Sequence, residues 1–314
     1  MRHIKISIGR DSEDHVLEMH RIRRRPSQEE VIAFITVLDE ELRLPDCLNH
    51  HRKLGVDRFV VIDNGSTDNT VAFLLEQPDV DLWLTKNSFS GSNTGMFWFY
   101  ALAANYGFDR WYLIIDADEL LVYENMEEHD LGYVAERLTE LGILSLRAPL
   151  IDMYSDKSIG NIGYKCGGSL IKTCPYFDGD SYRYRKSANG RTSLSGGPRV
   201  RLVSQKQEKF SHALEKHPFR FWPKKKIFRT IHEPPFPLQF YPPMGALLHF
   251  KFLDDFKFKI DEAVRKGNHW QDSIEYKRYA KRYKELSHPY YSGSKTYEGP
   301  HTLAKCGITA PFPW

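Results

Sequence analysis

Asp116 and Asp118 stand one small residue apart, directly after the apolar run Trp111-Tyr112-Leu113-Ile114-Ile115. In an extended chain, residues i and i+2 point to the same side. Both carboxylates can therefore project from one strand end. Two adjacent carboxylates repel each other, and a divalent cation relieves that repulsion. Mg²⁺ takes one or two carboxylates and completes its shell with water and substrate phosphates, so the pair points to phosphate-linked chemistry. An acidic pair also suits a solvated turn. The buried approach through Ile114-Ile115 favours the site reading, because ligands of α/β sheets bind at strand ends.

A second constellation lies at Asp63-Asn64-Gly65-Ser66-Thr67-Asp68-Asn69-Thr70. Asn64-Gly65 supplies a tight turn, since glycine accepts positive φ without steric cost. Thr67 or Asp68 can cap the helix that follows, and Asp63 is left at a strand end. Alone, this is an ordinary capped corner. Its weight comes from the acidic pair at the end of a later strand. His249 follows Ala246-Leu247-Leu248 as if at another strand end, where it can serve as a third metal ligand, as a donor to a diphosphate, or as a structural residue. Lys251, Arg199 and Arg201 are candidate phosphate contacts.

The elements that must position these residues follow from periodicity. Residues 31–38, 58–62, 80–84 and 111–115 are short continuous apolar runs, the pattern of strands buried on both faces. Ile4, Ile6 and Ile8 alternate with polar residues as a short strand. Helices are expected after the first buried strand (through Leu48 and Leu54, stopped by Gly55) and over 70–76, 93–106 and 126–141. Strand pattern resumes at 143–148. Strands alternating with helices at this spacing predict a mostly parallel α/β sheet flanked by helices. Residues 154–197 predict loops and short antiparallel strands, a candidate acceptor-facing insertion. Helices are expected again over 254–266 and 273–286, then an irregular tail from His288. The expected domains are an N-terminal strand and basic linker (1–28), a main α/β domain over 29–250 in two halves (29–150 and 151–250), which the resemblance described below implies to be nucleotide-binding and acceptor halves, and a helical extension over 251–314.

Composition narrows the function classes. At 314 residues and 41% hydrophobic, the chain can build one large core or two modest ones. The net charge of +3 does not suggest a nucleic-acid binder and suits small anionic ligands or an anionic membrane face. Basic residues cluster at Arg21 to Arg25 and at Lys224-Lys225-Lys226, as solvated surface or as contacts. Cys47, Cys166, Cys174 and Cys306 form no Cys-x-x-Cys pair, which argues against a zinc cage or dense disulfide frame. No signal-peptide core and no run approaching ~20 apolar residues is visible. The expectation is a soluble cytoplasmic protein able to lie on the inner face of the membrane.

Three segments resemble the family 2 glycosyltransferases and their relatives of GT-A fold: Val37-Leu38-Asp39-Glu40-Glu41, Val60-Val61-Ile62-Asp63 through Thr70, and Ile114-Ile115-Asp116-Ala117-Asp118-Glu119. The resemblance covers about residues 29 to 150, with Asp39 where the family more often shows Asn. Gly196-Gly197-Pro198-Arg199 and His249-Phe250-Lys251 are similar to segments of a bacterial branch of that family. By position, the resemblance implies that Asp39 and Asp63 hold the base and ribose of a nucleoside diphosphate sugar. It implies that Asp116 and Asp118 hold Mn²⁺ or Mg²⁺ on the diphosphate. It further implies inversion at the anomeric carbon, a carboxylate base, and a saccharide or lipid-linked acceptor in cell-surface glycan synthesis.

A divalent cation would neutralise the departing diphosphate as a Lewis acid. The acceptor hydroxyl needs a general base, for which Asp152, Asp180 and Glu233 are the candidates. The aromatic segments at 219–222 and 236–241 can stack on sugar rings, meet lipid or lie in the core. Two rivals remain. Apolar-Asp-x-Asp also opens phosphatases of the haloacid dehalogenase type, but Leu120 stands where those carry Thr or Val, and three strands precede the motif. The other rival is a non-catalytic sugar-nucleotide-binding or membrane-docking protein on a transferase scaffold.

Overall fold

The apolar runs of the sequence become the strands of a mixed α/β protein. The computed structural model describes residues 3–6, 15–22, 24, 26–186, 192–203, 214–224, 226–232, 242–266 and 270–314. From the N-terminus the elements are β1 His3–Ile6, β2 His15–Arg21, β3 Ile32–Val37, α1 Leu44–Lys53, β4 Arg58–Asp63, α2 Thr70–Glu76, β5 Val80–Leu84, α3 Met96–Tyr106 and β6 Arg110–Asp116. Next come β7 Glu119–Tyr123, α4 Leu131–Glu140, β8 Ser145–Asp152, α5 Leu170–Thr173, β9 Tyr176–Asp178, β10 Arg183–Lys186, β11 Thr192–Ser195 and α6 Gly197–Val203. The remainder holds β12 Glu215–Trp222, β13 Gly245–His249, α7 Phe256–Lys266, α8 Trp270–Lys281, α9 Tyr283–Leu286, β14 Ser294–Thr296 and α10 Pro300–Lys305. Contacts group the chain into two compact units. The first comprises Met1–Ala117, Asn125–Leu146 and His217–Gln239; the second comprises Asp118–Glu124, Arg147–Lys216 and Phe240–Trp314.

In the first unit the strands run in the order β1-β2-β5-β4-β3-β6-β12. β5, β4, β3 and β6 are parallel, with antiparallel neighbours at both flanks. The chain steps outward from β3 to β4 to β5. It then returns through α3 to place β6 on the other side of β3, so the strand order reverses between β3 and β6. Ile32, Phe34, Val60, Ile62, Tyr112 and Ile114 share one face by their two-residue period and form a core with Trp98, Phe99 and Leu102 of α3. At its centre the Phe34 ring stacks on Tyr112 at 4.5 Å and on Phe99 at 5.5 Å. The alternate residues Ala33, Ile35, Phe59, Val61, Leu113 and Ile115 are buried too. A parallel sheet covered on both faces results, as the continuous apolar runs predict.

Three stretches depart from the sequence reading. The tail expected to be irregular from His288 contains β14 and α10, with Pro300 in the first turn of that helix. The charged stretch expected as linker contains β2, which pairs antiparallel with β1 and β5. It can join the sheet because Arg21 spends its charge on backbone: the guanidinium donates to the carbonyls of Leu74 (2.8 Å), Gln77 (2.7 Å) and Val80 (3.1 Å), around the C-terminus of α2. The helix expected over 126–141 begins only at Leu131. Asp130 is its N-cap, accepting from the Tyr133 N–H at 2.8 Å.

In the second unit β13 lies between β8, its parallel partner, and β7, its antiparallel partner. The register sets His249 opposite Asp152 on one side and opposite Glu119 on the other. Three chemistry-bearing residues thereby form a row across three strands. The insertion contains the β10–β11 hairpin and β9, which pairs with β14. Phe219 and Trp222, from the segment read as stacking surface or core, are fully buried; the aromatic segment at 236–241 lies outside the described residues. Among the described residues no helix is long and apolar enough to cross a membrane.

Phe34→Ala should destabilise the protein by about 3–5 kcal/mol, the usual cost of emptying a core aromatic site. Phe258→Ala, at a side chain 64% exposed on α7, should stay within about 0.5 kcal/mol of the parent. Urea denaturation followed by circular dichroism measures both.

Candidate functional site

His249, at the end of β13, is held from both ring nitrogens. Its Nδ1 lies 2.6 Å from Asp152 Oδ1, and its Nε2 lies 3.2 Å from Asp118 Oδ2. β8 delivers Asp152 through the parallel register. The chain entering β7 delivers Asp118, whose carbonyl accepts from the Phe250 N–H at 2.7 Å. His249 and Asp152 are buried and Asp118 is half-buried. Burial disfavours an imidazolium, but Asp118 and Asp152 outweigh it and raise the His249 pKa to about 9. Burial likewise opposes ionisation of Asp152. Arg199 and His249 reverse that effect and hold its carboxyl well below the usual carboxylate range.

Among the described residues, Asp118, Glu119 and His249 form a group whose ligand atoms lie within 4.8 Å of one another. Glu119 is already committed: it is fully buried and ion-paired with Lys216 Nζ at 2.5 Å. Asp118 and His249 remain as a carboxylate and an imidazole donor. Adjacent ligands of an octahedral cation with bonds of ~2.1 Å lie about 3.0 Å apart. The 3.2 Å between Asp118 Oδ2 and His249 Nε2 therefore suits two positions on one divalent ion. Such an ion would take the place of the proton on Nε2. Asp116, the first residue of the acidic pair, ends β6 with an exposed side chain and is not in that group.

Cations surround the row. Arg199, at the start of α6, donates from Nε to Asp152 Oδ2 at 2.7 Å, and its Nη1 lies 3.6 Å from Glu275 Oε1. Its Nη2 is buried without an acceptor. Lys251 Nζ stands 3.7 Å from the same Glu275 oxygen and over the rings of Tyr276 and Tyr279. Burial opposes the Lys251 charge, while Tyr276 and Glu275 outweigh it and raise its pKa. Glu275 and Lys216, absent from the sequence reading, are thus members of the site. A glutamate within a polar helical pattern and a lysine beside a histidine carry no signal of that role.

Arg201, the third candidate phosphate contact, is occupied elsewhere. It grips Asp178 through two hydrogen bonds of 2.8 Å, donates to the Pro289 carbonyl at 2.7 Å and covers the Tyr291 ring at 3.8 Å. Of the three candidate bases, Asp152 has both oxygens engaged, by His249 and by Arg199. Asp180 is exposed and accepts from the Tyr291 hydroxyl. Glu233 lies outside the described residues.

The first unit gathers polar groups at the carboxyl ends of its parallel strands. Pairing sets Val37 beside Asp63, and Thr36 beside Asp116 across the point where strand order reverses. Asp63 Oδ1 accepts from the N–H groups of Gly65 (3.0 Å) and Ser66 (3.1 Å), closing the turn. Asp63 Oδ2 and the Thr36 hydroxyl are buried without a hydrogen-bond partner among the described residues. Buried polar atoms are rarely left so, and a ligand is one of the explanations for such atoms. Asp39 adopts positive φ (55°), which aspartate tolerates better than most residues. Its Oδ1 accepts from the Thr67 N–H (2.6 Å), the Thr67 hydroxyl (3.2 Å) and the Asp68 N–H (3.3 Å), bracing one loop against the other.

No protein-family model matches the chain, and no curated protein sequence matches it. Among solved structures it is similar to a UTP-bound UGPase from Acinetobacter baumannii, at 9% identity and TM-score 0.35, over 80% of this chain and 98% of that one. It is also similar to a 4-diphosphocytidyl-2C-methyl-D-erythritol synthase, at 17% identity and TM-score 0.28, over 43% of this chain and 67% of that one. Likeness this loose carries no argument about the site, which rests on the residues of this chain.

Lys216→Met should cost about 3–5 kcal/mol, because it leaves the Glu119 charge buried without its partner. Adding Glu119→Gln should recover most of that loss. Urea denaturation of the single and double variants tests the pairing; additive losses would contradict it.

Proposed function

We propose that this protein is a metal-dependent, inverting glycosyltransferase that moves a sugar from a nucleoside diphosphate sugar to a saccharide or lipid-linked acceptor. The observation that carries the reading is the Asp118–His249 pair. One oxygen and one nitrogen donor stand at the separation of neighbouring ligands on a divalent cation, at the paired ends of β7 and β13 in the second unit.

In the first unit, Asp63 Oδ2 and the Thr36 hydroxyl offer polar atoms without partners to the nucleoside portion of the donor. Asp39 and Asp116 stand on the same carboxyl edge. In the second unit, Asp118 and His249 are the residues that would hold Mn²⁺ or Mg²⁺. That cation supplies Lewis-acid neutralisation of the charge growing on the diphosphate. Lys251 and Arg199 add fixed positive charge for phosphate oxygens. With Asp152 engaged on both oxygens, the acceptor proton falls to Asp180 or Glu233 among the candidate bases. The reading places the work in the cytoplasm, at the inner membrane face where the acceptor is lipid-linked, in the synthesis of a cell-surface glycan.

The test begins with a thermal-shift screen of nucleoside diphosphates and sugar nucleotides, with and without Mn²⁺. A ligand of the folded state raises Tm by mass action. The pair that stabilises the protein is then assayed for release of nucleoside diphosphate on sugar transfer. Asp118→Ala, folded as judged by circular dichroism, should lower transfer by about 100-fold or more. Undiminished transfer by this variant would remove the metal assignment. Release of pyrophosphate from a nucleoside triphosphate and a sugar 1-phosphate would replace glycosyl transfer by nucleotidyl transfer.

A further inference from the structure

Asp152 is completely buried, has both oxygens engaged and contacts the inner nitrogen of His249. Its two oxygens do different things. Oδ1 meets His249 Nδ1 at 2.6 Å, and Oδ2 accepts from Arg199 Nε at 2.7 Å. An arginine side chain can only donate. Arg199 therefore requires an acceptor in the position that Oδ2 fills, and it fixes the carboxylate's orientation towards the histidine. A second clamp comes from the backbone: the Asp152 N–H donates to the Tyr182 hydroxyl at 3.2 Å. The Met153 N–H meanwhile donates to the His249 carbonyl at 2.9 Å, tying the two strand ends together.

We infer that Asp152, aimed by Arg199, is a positioning residue: it keeps the His249 proton on Nδ1 and turns the Nε2 lone pair towards a divalent cation shared with Asp118. The inference rests on the metal assignment above and assigns a role to two residues that do not themselves touch the cation. A carboxylate accepting from the far nitrogen of a metal-bound imidazole fixes the ring and raises its basicity, and loss of such a partner lowers metal affinity about 10–100-fold.

Arg199 gives the idea a sharp consequence. In Asp152→Asn the amide oxygen must face Arg199, because guanidinium nitrogens cannot accept. The amide NH₂ is then presented to His249 Nδ1, which must accept. The neutral ring is forced into the opposite tautomer, with its proton on Nε2, where it blocks the cation. A mere loss of packing or charge would weaken binding without reversing the tautomer.

The test uses full-length protein with ¹⁵N-labelled histidine. In the parent, saturating Zn²⁺, a diamagnetic probe, should give a His249 ring protonated at Nδ1 and metallated at Nε2. A ring ligated through Nδ1 would overturn the inference, and this measurement needs no variant to fold. Mn²⁺ affinity is measured in parallel by electron paramagnetic resonance for the parent, Asp118→Ala and Asp152→Asn. The expected result is loss of binding in Asp118→Ala, and binding about 10–100-fold weaker in Asp152→Asn with the neutral ring protonated at Nε2. Parent-like affinity and parent-like tautomer in Asp152→Asn, with binding lost in Asp118→Ala, would sink the positioning role and leave the metal site standing. Absence of Mn²⁺ and Zn²⁺ binding by the parent would sink the metal assignment itself.

Discussion

An imidazole gripped between two carboxylates is the constraint on which the second unit is built. His249 is buried, so each of its nitrogens needs a partner, and a charge on it needs compensation. Asp118 and Asp152 supply both. Neither carboxylate reaches the ring by chance. β13 is flanked by β8 and β7, and the two registers set Asp152 and Glu119 level with His249. A one-residue slip in either strand would turn the paired side chain to the opposite face. Sheet pairing and site chemistry are therefore one constraint seen at two scales.

The first unit solves a different problem with the same means. Parallel strands direct their carboxyl ends to one edge, and the reversal of order between β3 and β6 opens that edge. At the ends, Thr36 is level with Asp116, and Asp63 is level with Val37, one residue further on. The turn after β4 spends one oxygen of Asp63 on its own backbone and leaves the other buried without a partner. Asp39 is bound into the same turn from the neighbouring loop.

Much of this frame was legible in the sequence because burial on both faces leaves continuous apolar runs. Residues 70–76 and 80–84, read as helix and strand, coincide with α2 and β5. β2 was illegible because its inward His15 and Leu17 are soon followed by Glu18, His20 and Arg21, and Arg21 donates to backbone carbonyls. The late start of α4 was hidden because its cap, Asp130, ends the polar stretch Glu127-Glu128-His129-Asp130, which offers no contrast. In the site, residue types were readable but partnerships were not. Asp152 and His249 are 97 positions apart, as are Glu119 and Lys216. The β8–β13 pairing brings Asp152 to His249, Lys216 reaches Glu119 from β12, which is not a neighbour of β7, and no local pattern encodes either meeting.

Charge balance connects these partnerships to the kind of ligand the second unit suits. With His249 protonated, the pairings among the described residues set the carboxylates Asp118, Glu119, Asp152 and Glu275 against the cations His249, Lys216, Arg199 and Lys251. In a buried setting that near-neutrality limits the desolvation cost of so many charges. Exchanging the His249 proton for a divalent cation adds one net positive charge to these eight groups. The surplus favours an anion arriving with or after the cation, and Lys251 and Arg199 already flank the position. A neutral sugar would leave that surplus uncompensated, whereas a diphosphate would remove it. Lys216 sharpens the effect by cancelling Glu119. Were Glu119 free to bind the cation as well, the filled site would be electrically satisfied without substrate, and its attraction for phosphate would fall accordingly.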